Sequence, residues 1–310
     1  MIMNILGVDI GGTNVKLGIV SEKRAIIEHG LLPTPAGGPE AAAEKVAEWC
    51  AARRANHGGV EAAGIACAGL IDGARGFLYT SPNLPGWENA PLGEIFGRRL
   101  GVPVAVDNDV NCAVWGEYVM GAGRGTRHFV AVTLGTGVGG GIVIDGKLYH
   151  GAQGLAGEIG HHVIIEGGPP CSCGGRGCLE AVIGSSAIVA RAVEMAERRP
   201  GSRLSGRGGL TVRDIHEAAL LGDVAAVETL AETGRLLGIG LSNVVHILNP
   251  ETVAVGGGVA GAGDFILEPA RKSMKEHLIG DILSAVRIVP AELGNMASFL
   301  GASMLALENM

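Results

Sequence analysis

The sequence predicts a two-domain α/β protein, and three observations carry that prediction. A short apolar strand, Asn4–Val8, runs into Asp9-Ile10-Gly11-Gly12-Thr13-Asn14 and on into a second apolar strand, Val15–Val20. The same grammar returns more than a hundred residues later, where Val130–Leu134 leads through Gly135-Thr136-Gly137 into Val138–Ile144. Two strand–glycine turn–strand units at that separation read as an internal duplication. The third observation is size: 310 residues, 47% of them hydrophobic, suffice for two domains with substantial cores.

The remaining elements follow in order. Glu40–Ala55 has helical spacing, with Val46, Trp49 and Cys50 on its apolar face. Ala62–Cys67 reads as a buried strand. Ser81–Trp87 holds two prolines and a glycine, which excludes regular structure; this loop offers the amide of Asn83 and the ring of Trp87. Pro103–Val106 is a strand leading through Asp107-Asn108-Asp109-Val110-Asn111 into a helix, Cys112–Val119. Asp109 therefore falls near a helix N-terminus, where the dipole favours a carboxylate. Capping explains one of these polar residues, but not a run of them at a strand end, where α/β sheets place ligands. Further helices are expected at Ser185–Arg198, Thr211–Leu221 (with Thr211 and Asp214 as a capping-box variant) and Asp223–Leu248. A basic, glycine-rich loop, Arg203–Gly209, separates the first two. Gly234, Gly238 and Gly240 in the long helix suit close helix packing. Thr252–Val255 is a strand followed by Gly256-Gly257-Gly258 and a helix over Asp264–His277. Ala297–Leu307 is the last helix.

Composition excludes several classes. The net charge of −7 argues against a nucleic-acid partner, which needs basic surface, but leaves room for phosphates held by backbone N–H groups. The 53 glycines follow no three-residue period, so they signal tight turns rather than collagen. Met1–Gly7 is too short for a secretory signal and lacks a basic flank. Phe129–Ile144 is interrupted by glycines and threonines, and reads as two strands around a turn rather than a membrane span. A cytoplasmic location with no membrane partner is expected. Three scattered cysteines, Cys50, Cys67 and Cys112, suit that compartment as buried small hydrophobes.

The stretch Gly157–Glu180 reads GEIGHHVIIEGGPPCSCGGRGCLE. Cys171, Cys173 and Cys178 lie within eight residues, and His161 lies ten residues upstream of the first. Thiolate and imidazole are the ligands of structural zinc, and four of them close a tetrahedral site. A disulfide is not expected in a reducing compartment. On spacing alone, His162 serves as well as His161. Gly174, Gly175 and Gly177 allow positive φ, so the segment can wrap around an ion. Glu158 and Glu180 bracket the cluster, and a metal tying down this loop would also fix both carboxylates.

In the first hairpin, Gly11 and Gly12 allow close backbone approach to a phosphate, and Thr13 and Asn14 add side-chain donors. Asp9 is placed to face Mg²⁺ through water. An ordinary glycine hairpin accounts for these residues equally well; the second hairpin tips the balance towards a phosphate cradle. No helix follows the first glycines, which excludes a dinucleotide fingerprint. The nearest P-loop match, Gly141–Lys147, ends in Leu148 and fails.

GEIGH followed by CxCGxxGCLE resembles the ROK family of sugar kinases and repressors, and the resemblance runs from Asp9 to the C-terminal helix. It is nearest to the bacterial glucokinases of that family, whose sugar loop SPNLPGW matches. Both hairpins resemble the phosphate loops of the actin-like ATPase (ribonuclease H-like) fold, in which two α/β domains face a nucleotide. That fold implies domains at 1–119 and 120–296, with a tail helix over 297–310 returning to the first, and places Gly257 and Gly258 beside the adenosine. The resemblance implies Asp109 as catalytic base. It implies sugar contacts from Asn83, Asn108, Asp109, Glu158, His161 and Glu180, and prefers His161 as fourth ligand to a structural Zn²⁺ with Cys171, Cys173 and Cys178. ATP and Mg²⁺ are expected on Asp9, Gly11, Gly12, Thr13, Asn14, Lys16, Gly135, Thr136, Gly137, Gly139, Gly257 and Gly258. The implied reaction is phosphorylation of a hexose at its 6-hydroxyl, glucose first, with N-acetylmannosamine or fructose as alternatives, in a homodimer. A sugar-sensing regulator of the same family would carry an N-terminal DNA-binding domain, for which a hairpin beginning at Asn4 is expected to leave no room.

Overall fold

The computed structural model describes residues 2–280 and 285–310; Met1 and residues 281–284 lie outside them. The chain divides into two units. Unit 1 comprises Met1–Gly125, Lys147–Ala156 and Leu293–Met310; unit 2 comprises Thr126–Gly146 and Gly157–Glu292. The sequence reading placed the first crossing at 119/120 and left the 147–156 segment in the second domain. Two contacts within unit 1 account for the difference. His150 Nε2 lies 2.6 Å from Asp107 Oδ2, and Gly154, at φ +77, packs against the carbonyl of Ile71, which a Cβ there would approach to 3.2 Å.

Unit 1 opens with β1 (Asn4–Ile10), β2 (Asn14–Ser21) and β3 (Ile26–Pro33), an antiparallel meander. Then come α1 (Gly38–Ala51), the single turn α2 (Arg54–His57), β4 (Ala62–Cys67), the hairpin β5 (Leu70–Asp72) and β6 (Phe77–Thr80), α3 (Leu92–Leu100), β7 (Val104–Asn108) and α4 (Asp109–Met120). The sheet order is β3-β2-β1-β4-β7, with β4 parallel to β1 and β7 parallel to β4. Every residue of β1 and β4 is buried, as expected of strands covered on both faces. Helix α1 buries Ala42, Ala43, Val46 and Trp49. It stops at Ala51, short of the expected Ala55.

Unit 2 contains β8 (Phe129–Leu134) and β9 (Val138–Ile144), an antiparallel pair, after which the chain leaves for the unit 1 segment that begins with the two-residue β10 (Lys147–Leu148). It resumes with α5 (Leu179–Ile183), α6 (Ser185–Glu197), α7 (Val212–Leu220), α8 (Val224–Leu248), β11 (Thr252–Gly256), α9 (Asp264–His277) and β12 (Arg287–Pro290). The order β9-β8-β11-β12, with β11 parallel to β8 and β12 parallel to β11, repeats β2-β1-β4-β7 of unit 1. The duplication read from two glycine turns is thus a duplication of whole sheets. Helix α7 starts with the capping box of Thr211 and Asp214. A Cβ at Gly234 or Gly238 of α8 would stand 2.2 and 2.5 Å from the carbonyls of Ile266 and Ala270 in α9. Glycine four residues apart therefore sets the close approach of these helices.

The chain re-enters unit 1 and ends in α10 (Ala297–Glu308). Here too glycine permits contact. Cβ atoms at Gly7 of β1 and Gly64 of β4 would fall 1.9 and 1.8 Å from the carbonyls of Phe299 and Ala302, and one at Gly301 would fall 1.7 Å from that of Cys112 in α4. All six cysteines are free. Among the described residues, no helix is long and apolar enough to cross a membrane.

Candidate active site and metal loop

In unit 1 the parallel register aligns Ile10, Cys67 and Asn108 at the carboxyl ends of β1, β4 and β7, so that the turn after β1 and the helix after β7 start from one edge. Residues Gly12, Thr13 and Asn14 of that turn are exposed. Gly11 N–H closes the turn on Asn14 O at 3.0 Å, and Thr34 braces it, donating its hydroxyl to Gly11 O at 2.6 Å. Asp9 pairs across the strands with Lys16, whose Nζ lies 3.1 Å from Asp9 Oδ2. Burial raises the Asp9 carboxyl above its ordinary value against the pull of Lys16. Asp109 is raised as well, first by burial and then by the charge of Asp9, while the backbone N–H of Val110 and the Lys16 ammonium act the other way. A carboxyl so placed is a better proton acceptor than an exposed one. The Cys67 thiol, buried beside both aspartates, is pushed up to about 12; it fills space and stays protonated.

Asn108, rather than Asp109, caps α4: its side-chain oxygen accepts from Val110 N–H and Asn111 N–H, and its amide nitrogen donates to Gly69 O at 3.0 Å. Only one amide hydrogen of Asn108 is left for another partner. Asn83 stands exposed, while Ser81, Leu84 and Trp87 of the same loop are buried and hold it down. Trp87 is thus an anchor of the loop. A Cβ at Gly12 would lie 2.7 Å from Asn83 O, so the amide-bearing loop and the glycine turn are in contact.

The sequence reading passed over one strong pair here. Asp107, almost fully buried, accepts from Asn108 N–H at 2.7 Å and from Asn111 Nδ2 at 3.0 Å, and lies 2.6 Å from His150 Nε2. The bond to Asp107 raises the His150 pKa. No local pattern reveals a partner 43 residues away.

In unit 2 the turn Gly135–Gly137 is closed by Gly135 N–H on Gly137 O at 2.9 Å. Ser185, at the start of α6, donates its hydroxyl to Gly135 O at 2.6 Å. Beside the turn lies a cavity of about 570 Å³, lined by Gly135, Ser185, Val189, Leu210, Val212 and Gly258 among others. Gly257 has φ +87 and its Cβ would stand 2.2 Å from Leu134 O. It shapes the end of β8, and Gly258 faces the cavity. Gly139 pairs with Thr133 in the hairpin, and Thr136 is exposed at the turn.

The GEIGH segment is sewn to β9 by its two glycines. A Cβ at Gly157 would meet Gly140 O at 2.7 Å, and one at Gly160 would meet Val138 O at 2.0 Å. Ile159 is buried between them, leaving Glu158 exposed and His161 half-buried. His161 Nδ1 lies 3.6 Å from Cys171 Sγ, and Cys173 Sγ lies 3.8 Å from Cys178 Sγ. One donor atom from each of the four residues falls within 4.8 Å of every other. Zn–S and Zn–N bonds of about 2.3 and 2.05 Å in a tetrahedron imply S···S and N···S edges of about 3.8 and 3.6 Å. The donor set fits a tetrahedral zinc in type and number, and the two edges just given match those lengths. The second ring nitrogen of His161 points to Glu158 Oε2, 3.7 Å away. His162 instead turns its Nδ1 to the carbonyl of Ile159. Gly174 and Gly177 have φ of +88 and +71, and Gly177 is pressed on Ile165 O. Gly175 does not take positive φ; its place is against the sulfurs of Cys173 and Cys178.

The two glycine turns, each at the carboxyl end of the leading strand in a duplicated sheet, define the actin-like ATPase fold. Residues 5–309 match the ROK family, and the chain belongs to that family. It is 39% identical over 311 residues to the glucokinase of Streptomyces coelicolor, covering 98% of this chain and 97% of that protein. Among solved structures it superposes on a ROK family glucokinase from Streptomyces griseus, in complex with glucose and AMPPNP, with TM-score 0.80, 36% identity and coverage of 98% and 99%. It superposes on the ROK hexokinase of Thermus thermophilus with TM-score 0.82, 32% identity and 99% coverage of both.

Proposed function

We infer that this chain is an ATP-dependent glucokinase, transferring the γ-phosphoryl group of ATP to the 6-hydroxyl of glucose. The observation that carries the reading is the placement of Asp109: a half-buried carboxyl of raised pKa, beside Asp9 and Lys16, on the sheet edge that bears an exposed glycine turn. The similarity to glucokinases over nearly the whole chain supports the substrate. Phosphoryl transfer passes through a loose transition state, so the protein's work is positioning and charge neutralisation. Asp109 accepts the proton of the attacking hydroxyl. Asn83, Asn108, Glu158, Glu180 and the Nε2 of His161 bind the sugar hydroxyls, and a carboxylate that accepts from two neighbouring hydroxyls fixes orientation as well as strength. Gly11–Asn14, Lys16, Gly135–Gly137 and Gly139 serve the phosphates, with Gly257 and Gly258 towards the nucleoside. Asp9 would hold a Mg²⁺ ion, which would supply neutralisation of the phosphate charge. His161, Cys171, Cys173 and Cys178 would hold a structural zinc that stiffens the loop between Glu158 and Glu180 and fixes the His161 tautomer. The same reading makes the protein a cytoplasmic homodimer, so light scattering should give twice 31.5 kDa.

Glucose-dependent ADP release tests the proposal. Release with glucose and ATP, abolished by Asp109→Asn, is expected; ATP turnover indifferent to sugar would overturn it.

A further inference from the structure

Glu180 joins two segments of unit 2 that are separate motifs in the sequence. Its Oε2 accepts the Val138 N–H at 3.0 Å, directly after the Gly135–Gly137 turn. Its Oε1 accepts the hydroxyl of Ser172 at 2.7 Å, and Ser172 lies between Cys171 and Cys173 of the metal loop. A Cβ at position 137 would stand 2.6 Å from Glu180 Oε2, although Gly137 has no positive φ to explain it. A side chain at 137 would have to displace the Glu180 carboxylate from this position.

We propose that Ser172 is a positioning residue which, by holding Glu180 against the Val138 N–H, couples sugar binding to the phosphate turn. The inference rests on the reading of Glu180 as a sugar ligand. A carboxylate has about four acceptor sites. Oε2 has one site taken, and Oε1 takes the Ser172 hydroxyl and lies 3.8 Å from Cys171 Sγ, a sulfur that has no proton to donate once it ligates zinc, so the group is held in a single orientation with a site left on each oxygen for a hydroxyl. Without Ser172, Oε1 keeps only the long 3.8 Å contact with Cys171 Sγ, which a zinc-bound thiolate does not supply, and the carboxylate is free to turn about its broad terminal torsion. A phosphate that orders the Gly135–Gly137 turn fixes Val138 N–H and, through it, Glu180. A sugar that orders Glu180 fixes the turn. Linkage requires the two effects to be equal in binding free energy.

The test is calorimetric titration of glucose into the zinc-replete protein, with and without a non-hydrolysable ATP analogue, for wild type, Ser172→Ala, Ser172→Thr and Glu180→Gln. In the wild type the analogue should tighten glucose binding. Ser172→Ala should weaken glucose by about 3- to 10-fold, the ordinary net worth of one intramolecular hydrogen bond, and should remove most of the analogue's effect. Ser172→Thr, which keeps the hydroxyl, should restore both. A purely structural role would lower thermal stability without touching this coupling. Wild-type affinity and wild-type coupling in Ser172→Ala would overturn the inference, as would a wild type without coupling. Glu180→Gln separates the failures. If it binds glucose normally, the sugar role of Glu180 is wrong; if it is impaired while Ser172→Ala is not, only the role of Ser172 falls.

Discussion

Asp109 sits at the first position of α4, and the neighbouring Asn108 does the capping, so the Asp109 carboxylate is left for chemistry. Asp109→Asn keeps size and polarity but cannot take a proton. It is expected to lower kcat by about 10²–10⁴-fold while glucose affinity, read by calorimetry, changes little. The raised pKa has a consequence for stability. The favourable contribution of the protonated carboxyl is present below the ordinary carboxylate pKa and is lost as pH rises through the raised value. At neutral pH Asp109→Asn should therefore be more stable to urea than wild type, and the gain should vanish in acid; a variant less stable at neutral pH would contradict this. His150 works in the opposite charge sense, and its pKa too is raised, by Asp107. Its contribution is full below the ordinary histidine pKa and lost as pH rises through the raised one. The stability gap between wild type and His150→Gln should accordingly be widest in mild acid and shrink with rising pH. The sequence offered a cluster of polar residues after β7, but which residue caps, which stays free and which pairs with His150 depends on α4's starting point and on a distant segment.

At the scale of elements, those punctuated by glycine or by full burial were the legible ones. β4 and α9 fall on the expected residues, and α6, α7, α8 and α10 within one or two. The strands β3, β5, β6, β10 and β12 and the helices α2, α3 and α5 were not read. β3 alternates between exposed and half-buried positions, so its apolar content does not stand out, and β5 and β6 are only three and four residues long. The ligand set of the metal loop was legible from residue type, whereas the choice between His161 and His162 needed the 3-10 turn at Ile159–His161 that points one ring at the sulfurs and the other at Ile159 O. One zinc per chain is expected from metal analysis of protein purified without chelator. Removing it should raise the glucose KM and lower the melting temperature; a metal-free protein of full activity would refute the assignment. Gly160→Ala, whose Cβ would stand 2.0 Å from Val138 O, should cost about 1–3 kcal/mol of stability, lower zinc retention and raise the glucose KM, as the loop is pushed off β9.

At the scale of the whole molecule, the chain builds one sheet topology twice and attaches different equipment to each copy. Unit 1 carries Asp9, Lys16, Asn83, Asn108 and Asp109; unit 2 carries the Cys/His cluster, Glu158, Glu180 and the cavity beside Gly135. Glycine made the duplication visible in sequence, because both leading hairpins need it at the turn. The return of α10 to unit 1 depends on Gly7, Gly64, Gly116 and Gly301, each set against backbone, and on nothing in α10's own periodicity, since that helix is buried on most sides. The hexose is the property least contained in the fold. Sugar epimers differ by the placing of a single hydroxyl, and a misplaced hydroxyl leaves buried polar groups unpaired at about 1–3 kcal/mol each. The most direct measurement is therefore kcat/KM with ATP for glucose, mannose, fructose and N-acetylmannosamine. The account predicts the highest value for glucose, by about tenfold or more; a higher value for N-acetylmannosamine would contradict it.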